Sequence, residues 1–171
     1  APRQGPAGVS YPGTCGNRMP RLYGKTARPQ NAAPRLDAAR ALGDTGTLSF
    51  QETGDVAPHK VTTTASRFQA TIGDVVLSRR DFTGSYHLCV VLDDAAQGIT
   101  LVPRGNDLQE ATPIHVALQK LLGLPTPIYH HHRLIRDSTG KRLATRDDAL
   151  ALSSLRAAGK TPEDLRQMLG L

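Results

Sequence analysis

The residues best suited to chemistry lie in one stretch, residues 126–148, TPIYHHHRLIRDSTGKRLATRDD. An apolar, strand-like run of Pro127, Ile128 and Tyr129 leads into His130, His131 and His132. A loop of Asp137, Ser138, Thr139 and Gly140 follows, and then Lys141, Arg142 and Arg146 on a basic loop entering a helix. Clustered cations beside a strand end suit the phosphates of a nucleotide, because they neutralise charge that develops as a phosphate leaves. A surface hairpin with solvated Lys and Arg has the same composition, and composition alone favours that reading. The three histidines do not read as a metal site: neighbours on a strand point to opposite faces and cannot all reach one ion.

The elements that must position this stretch are legible upstream. Residues 1–34 are rich in proline and glycine, which bars long helices and central strands and predicts loops. In residues 35–72, Leu36, Ala39 and Leu42 fall at helical spacing with Gly43 as the stop, Leu48 and Phe50 alternate as in a short strand, and Val61 to Thr64 is β-branched; no catalytic residue stands out there. Residues 74–77 read as a strand buried as in a parallel sheet. In residues 86–97 the unbroken apolar run Leu88 to Leu92 fits a buried strand or a buried helix, and propensity leans to strand. After Gly98, Ile99 to Val102 reads as a buried strand carrying Arg104 and Gly105 to its carboxyl end, where open α/β sheets bind ligands. Thr112 and Pro113 read as N-cap and first-turn residue of a helix whose stripe is Ile114, Leu118, Leu121 and Leu122, ended by Gly123 and Pro125; that helix reads as core packing. Asp147 opens a helix with Ala149, Leu152 and Leu155 on one face, closed by Gly159. Thr161 and Pro162 cap a last helix with Leu165, Met168 and Leu169 on its buried side.

Composition bounds the class. The chain has 171 residues, 39% hydrophobic and 21% charged, enough for a real core and ordinary for a globular protein. Aromatics are 4% and Trp is absent, which argues against base stacking as the means of recognition. No apolar run approaches a membrane span and no signal peptide is visible. Cys15 and Cys89, far apart, make no disulfide framework, and a reducing cytoplasm is the simplest home. The net charge of +6 is concentrated: residues 1–40 hold seven Lys or Arg against Asp37 alone, and the remainder holds fourteen of each sign. A basic segment on a neutral core could touch nucleic-acid phosphates, although as a solvated tail it needs no partner.

Several ordered blocks carry a resemblance: GDVVLSRRD (73–81), YHLCVVLDDAAQGIT (86–100), RGNDL (104–108), ATPIHVALQKLLGLP (111–125), and YHHHRLI with GKRLATRD (129–147). Together they resemble the catalytic core of the glutamyl-Q tRNA(Asp) synthetases, a truncated family related to glutamyl-tRNA synthetase. The last hundred residues match well, the first seventy only through YPGTC (11–15). The resemblance implies that residues 86–97 are helical. It implies that Tyr86 and Arg104 hold the substrate glutamate: a guanidinium can bind a carboxylate bidentately and a phenol can fix the amino group. The alternative is an Arg104 paired with Asp93, Asp94 or Asp107 as scaffold. His131 would lie near the nucleotide, and GKRLATRDD would be the mobile signature loop, with Arg142, Leu143 and Ala144 in register and Lys141 and Arg146 as further cations. Thr145 stands where the family has the lysine that contacts ATP, and a hydroxyl cannot replace an ammonium against triphosphate charge. Leu101, Pro103 and Arg133 also depart from the family's His, Val and Pro. Tyr11 and Cys15 match half of a zinc site whose Cys-x-Cys half is missing, and structural zinc needs four ligands. The family's His-containing ATP signature is missing as well, and the sequence begins at Ala1 without Met. That reads as a fragment, or as a gene without its front half.

The expectation is therefore an α/β protein: the second half of a class I synthetase Rossmann-type nucleotide-binding domain at residues 73–171, with a partial insertion region at 1–72 and a short helical end. The implied activity is a ligase reaction. Glutamate is activated with ATP, a substrate that comes with Mg, and is passed to the queuosine of tRNA(Asp). The competing expectations are a silent remnant that at most binds RNA through its basic front, and a fragment of ordinary glutamyl-tRNA synthetase.

Overall fold

The computed structural model describes residues 4–5, 8–9, 11–13, 31–43, 45–54, 57–137, 139–143 and 151–170. The chain forms two compact units, residues 1–132 and 133–171.

The first unit is built on a four-stranded mixed sheet. Strands β4 (Thr47–Glu52) and β5 (His59–Thr64) form an antiparallel hairpin paired over its whole length. Strands β7 (Leu101–Gly105) and β8 (Ile128–His132) run parallel, with Arg104 opposite His131, and β8 joins β4 in parallel where Tyr129 meets Glu52. The order is β5-β4-β8-β7. Pro103, which has no N–H for a ladder, is accommodated because β7 is the outermost strand.

Helices α3 (Tyr86–Ala96) and α4 (Thr112–Leu122) follow the chemistry of their ends. Ser85 accepts the Leu88 N–H as N-cap, and Gly98 in the left-handed region stops α3, so the apolar run that leans to strand by propensity is helical. Only Val91 of that run is fully buried. Gly123, at φ 67°, ends α4. The core gathers Leu42, Leu48, Phe50, Phe68, Ile72, Val75, Ile114, Leu118 and Tyr129 between the sheet and helices α1 (Ala38–Leu42), α2 (Ala65–Thr71) and α4.

Several local expectations change. Leu36 belongs not to α1 but to a two-residue strand, β3 (Arg35–Leu36), which pairs antiparallel with β6 (Val75–Val76); residues 74–77 are thus no parallel-sheet strand. Asp74 explains why: its carboxylate accepts the Ala38 N–H at the start of α1, tying the two segments side by side. The front stretch, expected as loops, contains a small antiparallel pair, β1 (Gln4–Gly5) with β2 (Gly8–Val9). Thr112 is not an N-cap; a 3-10 turn, Asn106–Ala111, precedes α4, and the Thr112 hydroxyl points into the protein. Leu121 and Leu122 lie exposed, so the buried stripe of α4 runs instead through Ile114, His115, Leu118 and Gln119.

The second unit carries a turn over residues 135–143 and helices α5 (Leu152–Ala157) and α6 (Pro162–Leu169). Asp137 fastens the turn by accepting from the Thr139 hydroxyl and the backbone N–H groups of Thr139 and Lys141. Thr161 and Asp164 form a reciprocal capping box at the start of α6, as the sequence indicates. Met168, expected on a buried side, is exposed, and α6 has no fully buried residue.

Candidate functional site

The carboxyl end of β7 delivers Arg104 into a cage of uncharged side chains. Its partner across the ladder is His131 on β8, and Tyr129, two residues earlier, shares that face of the sheet. Above them α4 presents Thr112 and His115, three residues apart and so on one side of the helix. Arg104 Nε donates to His131 Nε2 at 3.1 Å, Nη2 to the Thr112 hydroxyl at 2.7 Å, and Nη1 to His115 Nδ1 at 3.0 Å. The Tyr129 ring lies beneath the guanidinium, 4.9 Å from centroid to Cζ. With Arg104 half-buried, a cation–π contact of this kind is worth about 1–2 kcal/mol. The partners of Arg104 are thus two imidazoles and a hydroxyl rather than Asp93, Asp94 or Asp107.

A guanidinium can only donate, which dictates the protonation of both imidazoles. His131 Nε2 must present a lone pair to Arg104, so its proton is on Nδ1, which donates to Glu52 Oε2 at 2.5 Å. His115 Nδ1 must likewise accept, so Nε2 carries the proton and donates to His87 Nδ1 at 2.9 Å. The line Glu52–His131–Arg104–His115–His87 therefore has one consistent set of proton positions. Burial, then the Arg104 charge, then His87 and His131 push His115 down to about 3. Burial and Arg104 also hold His87 below the usual imidazole range. Burial lowers His131 as well and outweighs the opposing pull of Glu52. Burial alone would raise Glu52, but bonds from the His131 backbone and ring and the Gly54 N–H together bring it below the usual carboxylate range. The Glu52–His131 contact is a carboxylate accepting from a neutral ring, not an ion pair.

Glu52 is held on all sides. Its Oε1 accepts the backbone N–H groups of Thr53, Gly54 and His131. Gly54 is required here by close approach: a Cβ at that position would lie 2.2 Å from the His131 carbonyl oxygen and 2.9 Å from Glu52 Oε1.

Tyr86, in the first turn of α3, is 55% exposed, and its ring meets the His115 ring edge-on with centroids 5.9 Å apart. Tyr86 and Arg104 are therefore separated by a single imidazole. His131 is 3% exposed, with both ring nitrogens bonded inside the protein. Lys141 and Arg142 lie in the second unit, where Arg142 bridges Arg136 across the turn. Arg35 stacks over the Tyr11 ring at 4.6 Å. Cys15, Thr145 and Arg146 lie outside the described residues, as does Ala149. Among the described residues no three His, Cys, Asp or Glu side chains are grouped to hold a metal; Cys15, the residue expected beside Tyr11, is not one of them. Also among them, no helix is long and apolar enough to cross a membrane.

Glu52, His87, Thr112 and His115 are the members that sequence reasoning passes over. One signal pointed to Glu52: it continues the alternation of Leu48 and Phe50 onto the core face of β4, an unusual place for a carboxylate. Thr112 and His115 were concealed inside a helix read as packing.

Comparison with known proteins gives this arrangement its class. Residues 51–171 match the family of class I tRNA synthetases (E and Q), catalytic domain, and the chain belongs to that family. It is 52% identical over 167 residues to the glutamyl-Q tRNA(Asp) synthetase of Rhodobacter capsulatus, covering 98% of this chain and 58% of that one. It is 39% identical to the glutamyl-Q tRNA(Asp) synthetase of Nocardia farcinica, covering 96% of this chain and 48% of that one. The chain thus spans about half the length of these curated relatives. Among solved structures, the glutamate-tRNA synthetase of Elizabethkingia anophelis aligns with 59% of this chain and 19% of its own, at 24% identity and a TM-score of 0.47. The α/β architecture expected from sequence agrees with the family match and with the parallel strands β4, β8 and β7.

Proposed function

We propose that this chain is the part of a glutamyl-Q tRNA(Asp) synthetase that holds glutamate for activation. The observation that carries the reading is the Arg104 cage, with Tyr86 against one of its walls. Five N–H groups less the three bonded inside the cage leave two, one on each terminal nitrogen, for a ligand carboxylate. The Tyr86 hydroxyl would fix the amino group. A carboxylate oxygen of glutamate attacks the α-phosphorus of ATP in line, the bond to pyrophosphate breaks, and glutamyl-adenylate forms. Such a step relies on positioning and charge stabilisation rather than a covalent nucleophile. Transfer of the glutamyl group to the queuosine of tRNA(Asp) follows, with AMP leaving.

In this reading residues 1–72 belong to the insertion region and residues 73–171 to the second half of the nucleotide-binding core. Lys141, Arg142 and Arg146 supply cations to the ATP phosphates, which arrive with Mg. Thr145 occupies the position of the missing lysine. His131 serves the site from within the protein, through Arg104. The reducing cytoplasm is where the substrates are found. Thr145 favours a second reading, a silent remnant that binds RNA at most.

Glutamate-dependent exchange of pyrophosphate into ATP separates the two. Exchange by this chain supports the first reading and excludes the remnant. Absence of exchange after Lys is restored at position 145 in a chain extended at its front overturns the first. An ordinary glutamyl-tRNA synthetase fragment would, once so extended, charge tRNA(Glu).

A further inference from the structure

Among the described residues no carboxylate bonds directly to Arg104, with Asp94 only near enough to feel its charge, yet a carboxylate 1% exposed lies one imidazole away. Nothing in the core requires a charge there: the other core-facing residues of β4 are Leu48 and Phe50. Glu52 is nonetheless anchored by three backbone N–H groups, which leave its second oxygen a single direction, toward His131 Nδ1. Without an acceptor at that point the buried Nδ1–H would be left unpaired, and the Arg104 Nε–H alone would oppose the other tautomer. With the proton on Nε2, a donor would face the Arg104 Nε–H, and the Thr112 hydroxyl, 3.1 Å from the same nitrogen, would have to reorient.

We propose that Glu52 is a positioning residue, whose carboxylate fixes the Nδ1–H form of His131 and thereby aims the Arg104 guanidinium. The role assigned to Arg104 rests on the glutamate-holding reading; the tautomer control does not. Carboxylate–imidazole pairs act this way generally, because the bond made by one ring nitrogen sets what the other can do.

The test is Glu52→Gln. The carboxamide oxygen can still accept the three backbone N–H groups, while its nitrogen donates to His131 Nδ1 and forces the ring proton onto Nε2. Long-range 15N–1H correlation spectra of the full chain, labelled at histidine, read the tautomer directly. The wild-type chain is expected to show His131 as Nδ1–H, and the Gln variant as Nε2–H. A wild-type His131 in the Nε2–H form overturns the proposal even where the variant does not fold. An unchanged Nδ1–H form in a folded variant overturns it as well.

The functional readout is pyrophosphate exchange. Loss of one aimed bond to a charged group is expected to raise the KM for glutamate about tenfold or more in the variant. The KM for ATP is expected to stay within about twofold, since Glu52 acts on the amino-acid side alone. Parallel rises in both overturn the positioning role. Where this chain shows no exchange, both KM values are measured in the front-extended chain with Lys at position 145; if that too shows none, the glutamate-holding reading fails, and the spectra still decide what Glu52 does.

Discussion

Acidification is expected to unfold the Arg104 cage before it protonates ordinary surface carboxylates, and His115 is the group to follow. Folding lowers its pKa from 6.5 to about 3, so the unfolded chain binds the proton more readily than the folded one. The stability this group contributes is present in full above the unfolded value and is lost as pH falls from 6.5 toward 3. At about pH 5, some 1.5 units below the unfolded value, the loss relative to about pH 7.5 is about 2 kcal/mol at 1.36 kcal/mol per unit. His87 and His131, both held low, change stability in the same direction, and so does Glu52 at lower pH. Asp94, raised mainly by burial, acts in the opposite direction. The control is His115→Gln, whose amide oxygen can accept from Arg104 and whose nitrogen can donate to His87 without titrating. Urea unfolding followed by far-UV circular dichroism at the two pH values gives the difference. The wild-type chain is expected to lose about 2 kcal/mol more than the variant. Equal losses, or a His115 ring that titrates near 6.5 by NMR, would refute the reasoning.

Gly54→Ala places a methyl against the His131 carbonyl and Glu52, and the resulting shift is expected to cost roughly 1–3 kcal/mol, read as a fall in urea midpoint with an unchanged slope. Arg104→Lys replaces a planar fork by a point charge that cannot serve His131, His115 and Thr112 together; loss of a charged bond predicts about 2 kcal/mol of destabilisation, and a weaker response to glutamate in the exchange assay. Phe68→Ala, at a fully buried ring distant in sequence from the cage residues, is expected to cost about 3–5 kcal/mol in thermal or urea unfolding.

How much of this was legible differs by element. The helix at 112–122 and the strands at Leu48–Phe50 and Ile128–Tyr129 declare themselves, because amphipathic spacing and end chemistry are local. The segment at 74–77 does not: Val75 and Val76 are apolar wherever they pair, and their partner, Arg35–Leu36, is fixed by a long-range bond from Asp74 that no local pattern encodes. Tyr86 and Arg104 came from the resemblance, and the chain brings each of them against His115. The rest of the cage was hidden for one reason. Glu52, His87 and the Thr112–His115 pair lie on three different segments, β4, α3 and α4, and converge only through tertiary packing, so their spacing in sequence carries no signature. His131 was singled out, but as a residue facing a nucleotide; its depth follows from the β8–β7 ladder, which places it opposite Arg104.

Because the Arg104 side chain is clasped at three corners and from below, its search among rotamers ends when the protein folds. Ordering a free arginine costs about 2 kcal/mol at the moment of encounter. Here that entropy is surrendered beforehand, and on the glutamate-holding reading the carboxylate would meet a stationary target resting on the Tyr129 ring.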